Sequence, residues 1–199
     1  ADNLAYYGVA FNIYSYLLNI CTAGFPFAIA TLIAKYSTRG DYQTSLLIKK
    51  LSASLMTCFG FGMMIIVILF SSPLAALVMP DEGDSVKTMQ MVLILISFAL
   101  FFVPLLSSIR GFYQGLKHME VYALSQVLEQ LAREGFLLGF SALAVYVLNY
   151  DRIWAVYFGV LSASVAAIIA ILHLKFYDRK QMRVLRQKVK EQPDPDMSQ

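Results

Sequence analysis

Gln126, Glu129, Gln130, Arg133 and Glu134 all fall inside the apolar stretch 121–148. An arginine or acidic side chain at the centre of a membrane helix costs about 2.5–3.5 kcal/mol on insertion scales. Three ions in one span must therefore be paired, drawn to the headgroups, or turned towards a polar interior. Tyr122, Gln126, Glu129, Gln130 and Arg133 follow i, i+4, i+7, i+8 and i+11, which is one stripe of a helix, with Leu124, Val127, Leu128 and Leu131 largely opposite. Glu129 and Arg133 form an i,i+4 pair in the favourable order. Read as structure alone, the pair neutralises itself and staples neighbouring spans. Read functionally, the stripe is the polar wall of a substrate cavity, and the two flanking amides favour this reading.

A second stripe offers weaker chemistry. Asn12, Ser15, Asn19 and Thr22 are spaced by three, four and three residues, so they share one helix face. Such groups either join helices through hydrogen bonds or line the same water-filled space as the first stripe.

The elements that carry these stripes are membrane helices. Apolar residues make up 58% of the 199-residue chain and charged residues 15%, with a mean hydropathy of +0.62. A soluble domain carries about 25% charged residues. About 20 apolar residues are needed to cross the hydrocarbon as helix, and five stretches qualify: about 6–34, 51–79, 88–109, 121–148 and 153–174. Asp81-Glu82-Gly83-Asp84 and Asn149-Tyr150-Asp151 mark turns between them. No run alternates like a barrel strand, so the chain reads as an all-α integral membrane protein. Residues 1–175 form the transmembrane bundle and 176–199 a basic segment ending in a Pro-Asp-Pro-Asp linker.

Basic residues assign direction, because cytoplasmic loops are enriched in Lys and Arg. Lys35, Arg39, Lys49, Lys50, Arg110 and Lys117 flank one set of turns, and seven more follow from Lys175 to Lys190. The alternate loops hold only Lys87 and Arg152. Thirteen against two places the N-terminus outside and the C-terminus in the cytoplasm. An N-out start without an initiating Met points to a removed signal peptide or to a preceding span, and the preceding span is the favoured expectation.

The remaining residues exclude more than they suggest. His118 and His173 are isolated, and no metal-binding spacing, phosphate loop or nucleophile with its base is present. No cofactor, metal or nucleic acid is implied, and the chain does not read as an enzyme. Cys21 and Cys58 lie in apolar segments without CxxC spacing and read as buried thiols. Gly24-Phe25-Pro26, Pro73 and Pro104 mark possible kinks, and Gly159, Ala163, Ala167 and Ala170 form a small-residue ridge suited to close helix packing.

Two longer motifs carry a resemblance. Gly24-Phe25-Pro26-Phe27-Ala28-Ile29-Ala30 runs on to Leu32-Ile33-Ala34-Lys35-Tyr36 and Arg39-Gly40-Asp41-Tyr42. Arg110-Gly111-Phe112-Tyr113-Gln114-Gly115 with Met119 precedes Ser125-Gln126-Val127-Leu128-Glu129-Gln130 and Arg133. Together they resemble the polysaccharide-biosynthesis, stage V sporulation protein B-like branch of the multidrug/oligosaccharidyl-lipid/polysaccharide exporter superfamily, over roughly residues 1–175. That branch includes relatives of lipid II flippases of the bacterial cytoplasmic membrane. The resemblance implies two pseudo-symmetric six-helix lobes and transport of a lipid-linked saccharide by alternating access. This chain would supply spans two to six of the first lobe, a five-helix portion whose partners are the missing first span, the second lobe and membrane lipid. Within that frame Arg133, Gln126 and Gln130 are expected to bind the anionic headgroup, with Glu129 holding Arg133, and Asn12 and Asn19 completing the pathway. A drug exporter of the same superfamily, a membrane scaffold and an oligomeric channel are the competing classes.

Overall fold

A computed structural model of the chain describes residues 24–78, 84–144 and 152–191, with Asn12 and Tyr16 singly. Among the described residues six helices are bounded: α1 (Phe25–Thr38), α2 (Tyr42–Leu69), α3 (Ser71–Val78), α4 (Asp84–Gly115), α5 (Met119–Ala142) and α6 (Arg152–Glu191). No strand occurs among the described residues. Among the described residues three helical segments, Tyr42–Leu69, Val86–Gly115 and Ile153–Arg179, are long and apolar enough to cross a membrane. The chain is an all-α membrane protein.

Local sequence explains where the helices begin and turn. Gly24 has φ 83°, a left-handed conformation that costs glycine little, and Pro26 follows in the first turn of α1, where its missing N–H is not needed. Tyr36 O accepts from the backbone N–H of Arg39 and of Asp41. Gly40, at φ 79°, then reverses the chain. Asp41 Oδ1 accepts from Thr44 N–H at 2.9 Å and so caps α2. The α4–α5 turn is made by Leu116, Lys117 and His118, with Lys117 itself at φ 62°.

The core centres on α4, which packs against α1, α2, α3 and α6. One cluster gathers Met89, Val92, Leu93, Ile96 and Leu100 with Val67, Val156 and Val160. A second joins Leu106, Phe112 and Tyr113 to Ile29, Ile33, Ala167, Ala170, Leu174 and Leu185. The shared order along α4 and α6 makes these helices parallel. On α2 the order is reversed, because Ser108 Oγ donates to Ser52 Oγ at 3.2 Å and Gly60 faces Leu100 and Phe101. The small-residue ridge is buried, with Ala163 in the first cluster and Ala167 and Ala170 in the second. α5 lies chiefly on α6.

Several helix ends differ from the spans read in the sequence. Most of the first expected span lies outside the described residues. α2 starts at Tyr42 because the Asp41 cap nucleates it before the apolar run begins. It stops at Leu69, and Pro73 belongs to the first turn of the separate α3 rather than to a kink. Pro104 is inside α4 and fully buried. α4 extends to Gly115 and α6 to Glu191, since polar residues at a helix end remain helical until a turn residue intervenes. The basic segment is thus a continuation of α6, and Leu185 packs into the second cluster. Cys58, expected to be buried, is on an exposed face of α2, where apolar neighbours suit lipid. Cys21 lies outside the described residues.

Candidate functional site

α5 turns Val121, Ser125 and Glu129 inward at i, i+4 and i+8 and leaves Leu124, Val127, Leu131 and Leu138 exposed. That arrangement resolves the cost of ions in an apolar segment, because the inward face meets a guanidinium from α4. Arg110 Nη1 donates to Glu129 Oε2 at 2.7 Å, Nε to Ser125 Oγ at 2.9 Å, and Nη2 to Ser125 O at 2.8 Å. Ser125 Oγ in turn donates to Tyr122 O at 2.8 Å. Across its other oxygen, Glu129 Oε1 accepts from Arg133 Nη2 at 2.7 Å.

One carboxylate therefore serves two guanidiniums, and the triad carries a net positive charge. The side chains of Arg110 and Glu129 are 12% and 9% exposed, whereas Arg133 is 24% exposed. Arg110 spends all three of its nitrogens on protein acceptors. Arg133 does not. Its Nε is buried without a hydrogen-bond partner among the described residues. A buried donor left unsatisfied costs about 1–3 kcal/mol, more when charged.

The expected site residues separate into three groups. Glu129 and Arg133 meet as the spacing predicts. Gln126 and Gln130 are exposed beside them, with Gln126 Nε2 donating to Tyr122 Oη at 3.2 Å. Asn12 is exposed, and Asn19 lies outside the described residues. Arg110 and Ser125 were not singled out by spacing. Arg110 looked like a loop cation because the apolar run stops at Ile109, yet the first turn residues come only after Gly115. The uninterrupted helical pattern through Arg110-Gly111-Phe112-Tyr113 was the available signal.

A second polar cluster joins three helices beyond the triad. Lys49 on α2 is ion-paired with Asp178 on α6, and Tyr113 Oη on α4 donates to Asp178 Oδ1 at 2.7 Å. Lys49 Nζ also lies 4.5 Å from the Phe112 ring centroid. Here too a residue counted as a loop cation is inside a helix.

A bundle of apolar helices joined through a part-buried, net-cationic hydrogen-bonded triad defines an all-α membrane protein. The sequence matches the polysaccharide biosynthesis protein family over residues 2–192, and the chain belongs to that family. It is 34% identical over 181 residues to the lipid II flippase MurJ of Bacillus subtilis (strain 168), covering 88% of this chain and 33% of that protein. It is 28% identical over 153 residues to stage V sporulation protein B of the same organism, covering 76% of this chain and 28% of that protein. An uncharacterized membrane protein, YabM, also of that organism, is 32% identical over 122 residues, 61% of this chain and 21% of its own length. The chain thus spans between a fifth and a third of the length of these relatives. No solved structure matches it significantly.

Proposed function

We propose that this chain is part of the first lobe of a transporter that flips a lipid-linked saccharide across the bacterial cytoplasmic membrane. The observation that carries the proposal is the uneven pairing within the triad. Arg110 is consumed by Ser125 and Glu129, while Arg133, the most exposed of the three, is tied to Glu129 through Nη2. A pyrophosphate-linked headgroup supplies oxygen acceptors, and the planar guanidinium grips them through paired, charge-assisted hydrogen bonds. Exposed Gln126 and Gln130 flank Arg133 and would bind sugar or phosphate oxygens. Glu129 would hold Arg133 when the site is empty and share it when occupied. The names and sequence similarity of the two sporulation- and lipid II-related proteins support this substrate class.

Transport then needs no covalent step. A second lobe and a preceding span complete the cavity, the lipid tail stays in the bilayer, and the headgroup crosses as the lobes rock. Substrate shifts the inward–outward equilibrium only through its different affinity for the two states. The excess of basic residues at one set of helix ends supports a cytoplasmic side that holds the α1–α2 turn, the α4–α5 turn and the end of α6. The decisive experiment measures lipid II flipping by the full-length protein in vesicles with Arg133 intact and replaced by Ala. Loss of flipping in a normally inserted R133A protein is expected, and wild-type flipping by that variant would exclude the role.

A further inference from the structure

α6 holds a surface that the proposed transport step does not use. The helix has 40 residues, which at 1.5 Å per residue is about 60 Å, twice the hydrocarbon thickness of about 30 Å. Its apolar part is Ile153–Arg179. The remainder must project beyond the hydrocarbon.

One face of α6 records that transition. Ile168, Leu172 and Phe176 are exposed on it, at 36%, 60% and 78%. Lys175, Arg179, Arg183 and Arg186 continue the same face, and all four are exposed. At 3.6 residues per turn their i, i+4, i+8 and i+11 spacing confines them to a stripe about 80° wide. The stripe cannot roll inward, because Leu174 and Leu185 are buried on another side of the helix and Asp178 is held by Lys49 and Tyr113. An apolar face that becomes basic within one turn is where acyl chains give way to headgroups.

We infer that this stripe binds the headgroups of anionic phospholipids in the adjoining leaflet. Headgroup layers add roughly 5–8 Å on each side of the hydrocarbon, so Lys175 and Arg179 would sit among the phosphates. Arg183 lies about 6 Å further along the axis, within the Debye length of about 8 Å at physiological salt. Three of the four side chains are guanidiniums, whose forks match phosphate oxygens. Clusters of four or more basic residues directly beyond a membrane helix attract anionic lipid electrostatically. The stripe stands apart from the Arg110–Glu129–Arg133 triad, so this inference does not rest on the transport proposal.

The test reconstitutes the full chain in phosphatidylcholine bilayers containing phosphatidylglycerol. Electron spin resonance with spin-labelled forms of each lipid then gives their relative association with the protein. Preference for phosphatidylglycerol of at least about fivefold is expected, the factor for one basic residue near an anionic surface. The preference should collapse in 1 M salt and in the variant K175Q/R179Q/R183Q/R186Q. It should persist in K35Q/R39Q/K50Q, which removes exposed cations from α1, its turn and α2. Helicity measured by circular dichroism confirms that each variant is folded. Absence of preference in the wild-type chain, survival of the preference in the α6 variant, or equal loss in both variants would overturn the inference.

Discussion

Arg110 on α4 and Glu129 on α5 meet at 2.7 Å, and their ion pair spans an interface where α4 and α5 have little other packing. α5 lies mainly on α6, so the triad fixes how α5 is placed against the central helix. Because Glu129 also binds Arg133, the structural contact and the proposed binding contact share one carboxylate. Displacing either partner must be felt by the other.

Removing that carboxylate should be the more damaging change. Glu129→Ala leaves two guanidiniums facing each other without an anion, and breaking a buried pair in this way costs about 3–5 kcal/mol. Arg110→Met should cost less, because Glu129 keeps Arg133 as its partner. Thermal unfolding in detergent would rank the variants, and a double-mutant cycle should return a coupling of roughly 0.5–3 kcal/mol. A coupling near zero would remove the pair from any account of how α5 is positioned.

Arg133 should matter to transport more than to folding. It is the least enclosed member of the triad and, among the described residues, makes one hydrogen bond where Arg110 makes three. Arg133→Ala should therefore leave the protein inserted and folded while flipping is lost. Arg133→Lys keeps the charge but not the paired geometry, so its flipping rate should fall between the two. Rates from vesicle-reconstituted full-length protein, normalised to inserted protein, would separate these outcomes. Equal activity in the lysine and alanine variants would mean that charge at this position is irrelevant.

The sequence revealed the polar stripe but not its counterpart. Glu129 and Arg133 were legible because i,i+4 spacing on one helix is a local property. Arg110 was not, since its partners are 15 and 19 residues away across a turn that hydropathy alone placed too early. Lys49 failed for the same reason: its partner Asp178 is 129 residues distant. Of the five expected spans, those at 51–79, 88–109 and 153–174 coincide with helices long and apolar enough to cross a membrane. Their ends depended on the Asp41 cap, the Gly40 turn and the absence of any breaker in α6, which a hydropathy window does not weigh. Gln126 and Gln130 share the stripe with Arg133 but emerge exposed, because the inward direction is set by Arg110 rather than by polarity.

Close helix approach makes a separate prediction about two glycines. A Cβ at Gly115 would lie 2.6 Å from Ile33 Cβ and 2.7 Å from Ala30 O, so α1 must shift to admit it. A Cβ at Gly62 would meet nothing within 4 Å. Gly115→Ala should therefore destabilise by about 1–3 kcal/mol through overpacking. Gly62→Ala should be neutral or stabilising by up to about 1 kcal/mol, because glycine weakens a helix interior. Unfolding midpoints of the two variants in the same detergent provide the comparison. A Gly115→Ala protein as stable as the parent would show that α1 yields without cost.

The Lys49–Asp178 pair predicts a pattern of non-additivity rather than a single loss. Asp178 also accepts from Tyr113 Oη, and Lys49 also rests on the Phe112 ring, so each partner keeps one contact when the other is removed. Asp178→Leu nevertheless strands an ammonium among α2, α4 and α6, and Lys49→Met strands a carboxylate there. Either uncompensated ion should cost several kcal/mol. The double variant K49M/D178L contains neither ion and replaces both with apolar groups of similar reach. It should be more stable than D178L alone and approach the parent, with only the Tyr113 hydroxyl left to find another acceptor. Unfolding of the four proteins under one condition would decide it. If the double variant is worse than both single variants, the losses accumulate, and Lys49 and Asp178 support the three-helix junction through their separate contacts rather than through their mutual neutralisation.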